Sequence, residues 1–383
     1  MKNFTRKAIT SMLALLGSGM VVAAGFDAQP TNASGLGVAY AGSAAVADNA
    51  SVQAANPAGI AHLDGLQLST GLVVRNANLR VRSPGLANAG GDAGEQERLG
   101  NLALSVRVSP EISAGLSIST PYQWASRYDS AWSGANLALR TTLRANTISP
   151  SVAYQLNDKV ALGLGLNYQT IDLRMTQTAA DFKADDSSIG WTAGALFTLS
   201  PAMRVGVAYR SGVRHDLSGR FNGASAKARL ETPASLTLSV WQQVTEQWEA
   251  MGDLSYTRWR SVDAFPVRDK TTGNLLAIQG ANLDDAWRLA WGAAYRISDQ
   301  VKYKFGLAYE RTATGNRQRT PQFPDSDSFW LSMGLQWRFS PQHWVDLGYA
   351  YRHQRDARLA VNAVPSKIKG HEHLLGLQYS AGF

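Results

Sequence analysis

The sequence predicts a transmembrane antiparallel β-barrel of about fourteen strands whose bore is filled by an N-terminal segment. Three observations lead there. Apolar and polar residues alternate over unusually long runs, short turns alternate with long polar connections, and the chain ends on an aromatic strand. At the C-terminus, Phe383, Ala381, Tyr379, Leu377 and Leu375 alternate with Gly382, Ser380, Gln378 and Gly376. One face of that strand suits lipid and the other suits a filled or watery lumen.

The elements follow in chain order. Residues 1–24 read as an export signal. Lys2, Arg6 and Lys7 precede a broken apolar run, and Val22-Ala23-Ala24 offers small residues for cleavage. The run is too short for a membrane anchor, and Thr10, Ser11, Gly17 and Ser18 interrupt it. Residues 25–65 are rich in Ala, Gly, Ser and Asn and lack alternation, which predicts a compact plug; a disordered tail is the competing reading.

Residues 66–383 read as barrel wall. In 329–339, Phe329, Leu331, Met333, Leu335, Trp337 and Phe339 alternate with small or polar residues. Val345, Leu347, Tyr349 and Tyr351 repeat the pattern, as do Trp287, Leu289 and Trp291, and Leu162, Leu164, Leu166 and Tyr168. A soluble sandwich also alternates, but its strands usually run to about five or six residues. These runs approach the roughly ten residues that a tilted spanning strand needs. Short turns are expected at Ser109-Pro110-Glu111, Asn157-Asp158, Ser200-Pro201-Ala202, Thr245-Glu246, Ser298-Asp299 and Ser340-Pro341-Gln342. Longer polar stretches at 83–97, 121–145, 180–186, 258–282 and 311–327 are expected as loops on the opposite, extracellular side.

Composition narrows the function classes. The 383 residues contain no cysteine, so disulfide and thiolate chemistry are excluded. The formal charge is +8, three units of it from Lys2, Arg6 and Lys7. The remaining basic residues are scattered instead of clustered. That argues against nucleic acid and for contact with anionic lipopolysaccharide and outer-membrane lipid. His371-Glu372-His373 places two imidazoles on one strand face, but no third metal ligand stands at useful spacing. No nucleophile elbow or phosphate loop is present, and Gly163-Leu164-Gly165 lacks the helix that a dinucleotide site requires. No catalysis, metal or cofactor is expected.

Within residues 25–65, Gly25-Phe26-Asp27, Asn32-Ala33-Ser34-Gly35-Leu36-Gly37, Ala39-Tyr40-Ala41-Gly42, Ala47-Asp48-Asn49-Ala50 and Asn56-Pro57-Ala58-Gly59 closely resemble the hatch of the FadL/TodX family. These are outer-membrane transporters of long-chain fatty acids and other hydrophobic compounds. The similarity continues through Leu254-Ser255-Tyr256-Thr257-Arg258-Trp259, Asp285-Ala286-Trp287-Arg288, 324–332 and the last strand, whose Phe383 resembles the signal read by the barrel assembly machinery. The resemblance implies capture near the extracellular loops, an interior site, and exit sideways through the wall.

It also implies roles for particular residues. Asn56, Pro57 and Ala58 match a hatch element beside a kinked strand, and Pro121 stands where that strand breaks; an ordinary turn is the alternative. Phe26 matches an aromatic that reaches the interior site, or else anchors plug to wall. Tyr122, Trp124, Tyr128 and Trp132 match the capture loop, with an interfacial girdle as the alternative. Gln177 and Gln279 stand where the family places basic contacts to a carboxylate, which removes charge-assisted pairing there. Arg174, Arg288, Arg296 and Arg338 read as lumenal substitutes, or as partners of Asp253, Glu310 or Asp346. The expected activity is passive uptake of long-chain fatty acids. A channel for neutral hydrocarbons or aromatics is the alternative within the fold, and a structural or adhesion barrel or a lipid-modifying enzyme the alternative outside it.

Overall fold

A computed structural model describes residues 32–261, 265–279, 283–315 and 319–383. The expected signal and Phe26 therefore lie outside the described residues. The first seven strands are β1 (Leu66–Arg82), β2 (Gln96–Arg107), β3 (Ile112–Arg127), β4 (Arg140–Asn157), β5 (Val160–Thr176), β6 (Asp181–Ser200) and β7 (Met203–Arg210). A hairpin of β8 (Val213–Phe221) and β9 (Ala224–Thr232) follows, then β10 (Ser235–Gln243) and β11 (Trp248–Thr257). The short hairpin β12 (Phe265–Asp269) and β13 (Leu275–Gln279) precedes β14 (Ala286–Arg296) and β15 (Val301–Arg311). The wall ends with β16 (Ser328–Ser340), β17 (His343–Val361) and β18 (Val364–Gly382).

Among the described residues these make one 18-stranded antiparallel sheet. Fourteen strands form the closed wall, because β7 pairs directly with β10 and β11 with β14. β1 pairs with β18 from Gln67↔Gly382 to Arg82↔Lys367, so the sheet has no edge around its circumference. The β8–β9 and β12–β13 hairpins extend one end of the wall, β8 on β6 and β12 on β9. Each expected short turn joins two wall strands at the opposite end, where Leu66 and Phe383 also meet. That end is periplasmic by the asymmetry of such barrels.

Lipid-facing positions are as the alternation requires. Leu331 is 49% exposed, Leu347 45% and Leu375 60%, so these leucines are not core. Yet the strands are longer than the alternation suggested. The 17 residues of β5 run about 58 Å at ~3.4 Å each, or about 44 Å of height at a tilt near 40°. The apolar band of such a barrel is only about 25 Å tall. The surplus stands outside the membrane, and there the two faces exchange character. On β5, Leu162, Leu164, Leu166 and Tyr168 face outward, and Asn167 and Gln169 face in. Higher up, Asp172 and Arg174 face outward, and Ile171, Leu173 and Met175 are buried inside. β1 repeats the exchange: Leu72 and Val74 give way outside to Arg80 and Arg82, while inside Arg75 gives way to Leu79 and Val81.

This exchange corrects two expectations. Residues 180–186 are not a loop, since β6 begins at Asp181, and the stretch 121–145 contains the ends of β3 and β4. Charges on the outer face of an extension read as loop, although Phe182 and Ala184 alternate with them inside.

Residues 32–63 lie inside the lower barrel. A short helix, α1 (Ala33–Leu36), is capped by Asn32, whose side chain accepts from Gly35 N at 2.6 Å. Two 3-10 turns follow, Ala50–Ala54 and Pro57–His62. Leu36, Ala39, Ala58 and Ile60 are fully buried with Trp330, Leu374 and other inward wall residues. The close fit needs glycine on the wall. A Cβ on Gly306 would overlap the backbone of Val38, and one on Gly348 would press on Ala33 and Leu36.

Candidate functional site

Three features occupy the bore above residues 32–63: a central chamber, a discontinuity in the wall beside it, and an apolar cap over both. The cap is the inward face of the strand extensions. Tyr122, Trp124, Tyr128 and Trp132 all belong to it and are at most 6% exposed. Tyr122 donates its hydroxyl to Pro233 O at 2.9 Å and meets Trp259 edge-on at 6.3 Å. Trp124 donates to Gln322 O at 3.1 Å, and Tyr128 to Pro321 O at 2.9 Å. Tyr128 stacks on Trp132 with ring centroids 4.1 Å apart. Burial raises the Tyr128 phenol above the usual tyrosine range, so it stays a neutral donor. These four residues are neither an open groove nor a girdle. Each aromatic polar atom is satisfied by a carbonyl, as burial of such rings requires.

The wall discontinuity lies between β2 and β3. Their ladder runs from Arg107↔Ser113 up to Leu102↔Ile118 and, among the described residues, goes no further until the bridge Gly94↔Ser126. On its other side, β3 shifts register against β4 between Ser119 and Tyr122, which leaves Thr120 and Pro121 in a bulge. Proline lacks the donor that would rejoin β2 and re-aims the strand, so that Tyr122 and Trp124 point inward. Side chains span the interval. Gln123 Nε2 donates to Glu97 Oε1 at 2.7 Å, and Glu97 also pairs with Arg75 of β1.

The chamber is bounded by Ser119, Pro121 and Tyr122 on the discontinuity and by Ala54 and Ala55 below. Hydroxyls of Ser235, Thr237, Ser255 and Thr257, the Trp259 ring, and the guanidiniums of Arg210 and Arg288 complete it. Arg210 Nη2 donates to Ala54 O at 2.7 Å, whereas its buried Nη1 meets no acceptor among the described residues. Arg288 donates to Ala39 O at 2.7 Å and lies 5.5 Å from the Trp330 ring centroid. Glu310 also borders the chamber and pairs with Arg352 at 3.3 Å; Arg352 in turn reaches Asp325 at 3.6 Å and Glu372 at 3.3 Å.

Asn56 caps the Pro57–His62 turn by accepting from Ala58 N at 3.0 Å, and donates to Ala44 O at 2.8 Å and Ala195 O at 3.1 Å. Asn56, Pro57 and Ala58 abut β5 and β6, where Gly163 and Gly194 leave room for them. Ala54 and Ala55, just before them in the chain, share the chamber with Pro121. Arg174 is not lumenal. It projects outward from β5 and pairs with Asp181 at 3.4 Å, because its even-numbered phase is that of Leu162 and Leu164. Arg296 and Arg338 face the periplasmic mouth, near Glu249 at 3.9 Å and over Trp344 at 4.7 Å. Gln177 is buried at the tip of the β5–β6 hairpin, its backbone N–H bonded to Ala180 O at 2.7 Å, and does not line the chamber. Gln279 is placed by its backbone as the strand partner of Phe265. His371 and His373 lie outward while Glu372 points inward to Arg352.

Sequence reading missed Arg210 and the Gln123–Glu97 contact. Arg210 was within reach: it shares the even phase of Gly206 and Ala208, which face residues 32–63.

A family described as “Outer membrane protein transport protein (OMPP1/FadL/TodX)” matches residues 14–383. The chain belongs to the FadL/TodX family. It is 26% identical to the long-chain fatty acid transport protein of Salmonella typhi over 431 residues, covering 99% of both chains. It is 27% identical to outer membrane protein P1 of Haemophilus influenzae over 417 residues, covering 92% of this chain and 90% of that one. A Pseudomonas aeruginosa FadL homologue superposes with a TM-score of 0.88 at 23% identity, over 94% of this chain and all of that one. The Pseudomonas putida toluene transporter TodX gives 0.74 at 15% identity, over 93% and 99%. The protein is thus a bacterial outer-membrane barrel and a member of a family of transport proteins, not enzymes.

Proposed function

We propose that this barrel takes up long-chain fatty acids, holding the carboxylate in the central chamber and releasing the molecule sideways between β2 and β3. The observation that carries the reading is Arg210. A half-buried guanidinium whose Nη1 is buried and unpaired borders the chamber, beside Arg288 and several hydroxyls. An unsatisfied buried donor costs about 1–3 kcal/mol, which a ligand carboxylate would recover. The acyl chain then has the aromatic underside of the cap at Tyr122 and Trp259, where each buried methylene contributes about 0.8 kcal/mol. Pro121 borders the same chamber, so the exit route starts where the ligand rests.

Residues 32–63 act in this reading as a hatch that blocks the axial route. Asn56-Pro57-Ala58 fixes its turn, and Ala54 and Ala55 pass its movement to the exit. Substituting Asn56 and Pro57 by alanine, which turns the element into Ala-Ala-Ala, leaves an assembled barrel with slower uptake. The terminal strand with Phe383 is the handle for the assembly machinery.

Competition between oleate and its neutral alcohol is the direct test. Oleate should bind about tenfold more tightly, and Arg210→Gln should erase that margin without weakening the alcohol. Equal affinity in the wild type sinks carboxylate recognition and leaves the second reading, uptake of neutral hydrocarbons or aromatics. The edge-to-face Tyr122–Trp259 pair in the chamber wall favours that alternative.

A further inference from the structure

The outer face of β1, β18 and β17 changes in regular rows above the lipid band. Val74, Leu375 and Tyr349 stand side by side across the three strands. The next row up is Asn76, His373 and Tyr351, followed by Asn78, His371 and His353. Above them Arg80 faces Lys369, and then Arg82, Lys367 and Arg358 form one row. Every residue of that last row is exposed. Directly opposed like charges destabilise a sheet. Below the last row, Asp92 approaches Arg80 at 3.7 Å and Asp356 pairs with Lys369 at 2.7 Å. No carboxylate comes within ion-pair distance of Arg82, Lys367 or Arg358 among the described residues.

A solvated outer surface common to the whole barrel would carry such rows everywhere, and it does not. On β4, β5 and β6 the corresponding row is Arg144, Asp172 and Asp185, of mixed sign. Beside the cationic rows lies a groove bordered by Arg80, Arg82, Lys369, Tyr351, His353 and His371, and by Asp356, which pairs with Lys369. Its lower rim is aromatic and meets the lipid face, and its upper rim is cationic. The same concavity therefore offers an apolar surface to a lipid's base and positive charge to its head.

We infer that this face binds lipopolysaccharide. The phosphates and acidic sugars of its headgroup would lie against Arg82, Lys367 and Arg358, and its acyl chains along Val74 and Leu375. The anion supplies the counter-charge that the last row lacks. The ligand stays outside the barrel, so the transport chamber is untouched.

The experiment measures lipopolysaccharide retained by the detergent-purified full-length protein, by mass spectrometry and bound phosphate. The triple variant Arg82→Gln/Lys367→Gln/Arg358→Gln should retain at least tenfold less than wild type. A control of equal net charge, Arg144→Gln/Arg174→Gln/Lys183→Gln, should retain the wild-type amount, and Lys367→Gln alone should fall about threefold. The charge-keeping variant Arg82→Lys/Lys367→Arg/Arg358→Lys should bind normally, and heat-shifted gel migration reports folding of each. Equal retention by wild type and the Lys367→Gln and triple variants overturns the inference. So does equal displacement of the lipid by phosphatidylglycerol micelles or by inorganic phosphate, since either shows a general anion surface.

Discussion

The lower and upper halves of the same strands obey opposite rules. Below, β5 presents leucines to lipid and Asn167 and Gln169 to the bore. Above, it presents Asp172 and Arg174 to water and packs Ile171, Leu173 and Met175 inside. One chain direction and one backbone geometry serve both, so the solvent outside each half decides which face is greasy. The upper half is in effect a soluble β-structure set on a membrane barrel, and the proposed uptake places the apolar ligand beneath it.

Substitutions at matched positions test that division. The largest effect should come from Trp259→Ala, which empties the centre of the upper core. It should cost about 3–5 kcal/mol of cap stability and render the β8–β9 and β12–β13 hairpins protease-sensitive, while the lower barrel keeps its heat-shifted gel migration. Leu331→Arg places a charge on the lipid face and should cost about 2–4 kcal/mol, read from urea-dependent folding into bilayers. Asp172→Arg, also outward but in the upper half, should change stability by less than about 0.5 kcal/mol. Similar penalties for those two arginines would erase the proposed boundary.

A smaller effect should follow pH. His215 of β8 is fully buried, with Asp186 Oδ2 at 3.1 Å and Gln169 Oε1 at 3.1 Å. Burial lowers its imidazole pKa below the ordinary 6.5, and Asp186 pulls it partly back. The unfolded ring therefore takes up a proton first as pH falls. Its stabilising contribution is complete above about pH 6.5 and is lost below it. Proteolysis of the extension should quicken between pH 7 and 5, and His215→Gln should flatten that dependence; no change in slope would remove His215 as the cause.

The lower half was the legible half. Leu331, Leu347 and Leu375 announce lipid because nothing else keeps so many leucines alternating with glycine and serine. The strand count follows from the short turns and long alternating runs. The upper half hid itself. At 180–186 the outward Lys183 and Asp185 resemble loop, and the inward Phe182 and Ala184 are too few to signal a face. Arg174 was misassigned for the same reason: a cation in a barrel strand reads as lumenal only while lipid is the outer solvent. Tyr122, Trp124, Tyr128 and Trp132 were found as a group. Their burial depends on carbonyls at Pro233, Pro321 and Gln322, far away in sequence. Arg210 shared a legible inward phase with Gly206 and Ala208, but its bond to Ala54 O depends on how residues 44–54 fold against β7.

The pairing of β1 with β18 has a consequence for biogenesis. A ring has no hoop strength until its final seam is sewn, and here the seam joins the first wall strand to the last 19-residue strand. Until that pairing forms, the wall has two raw margins. Loss of a few terminal residues therefore threatens the whole cylinder at once.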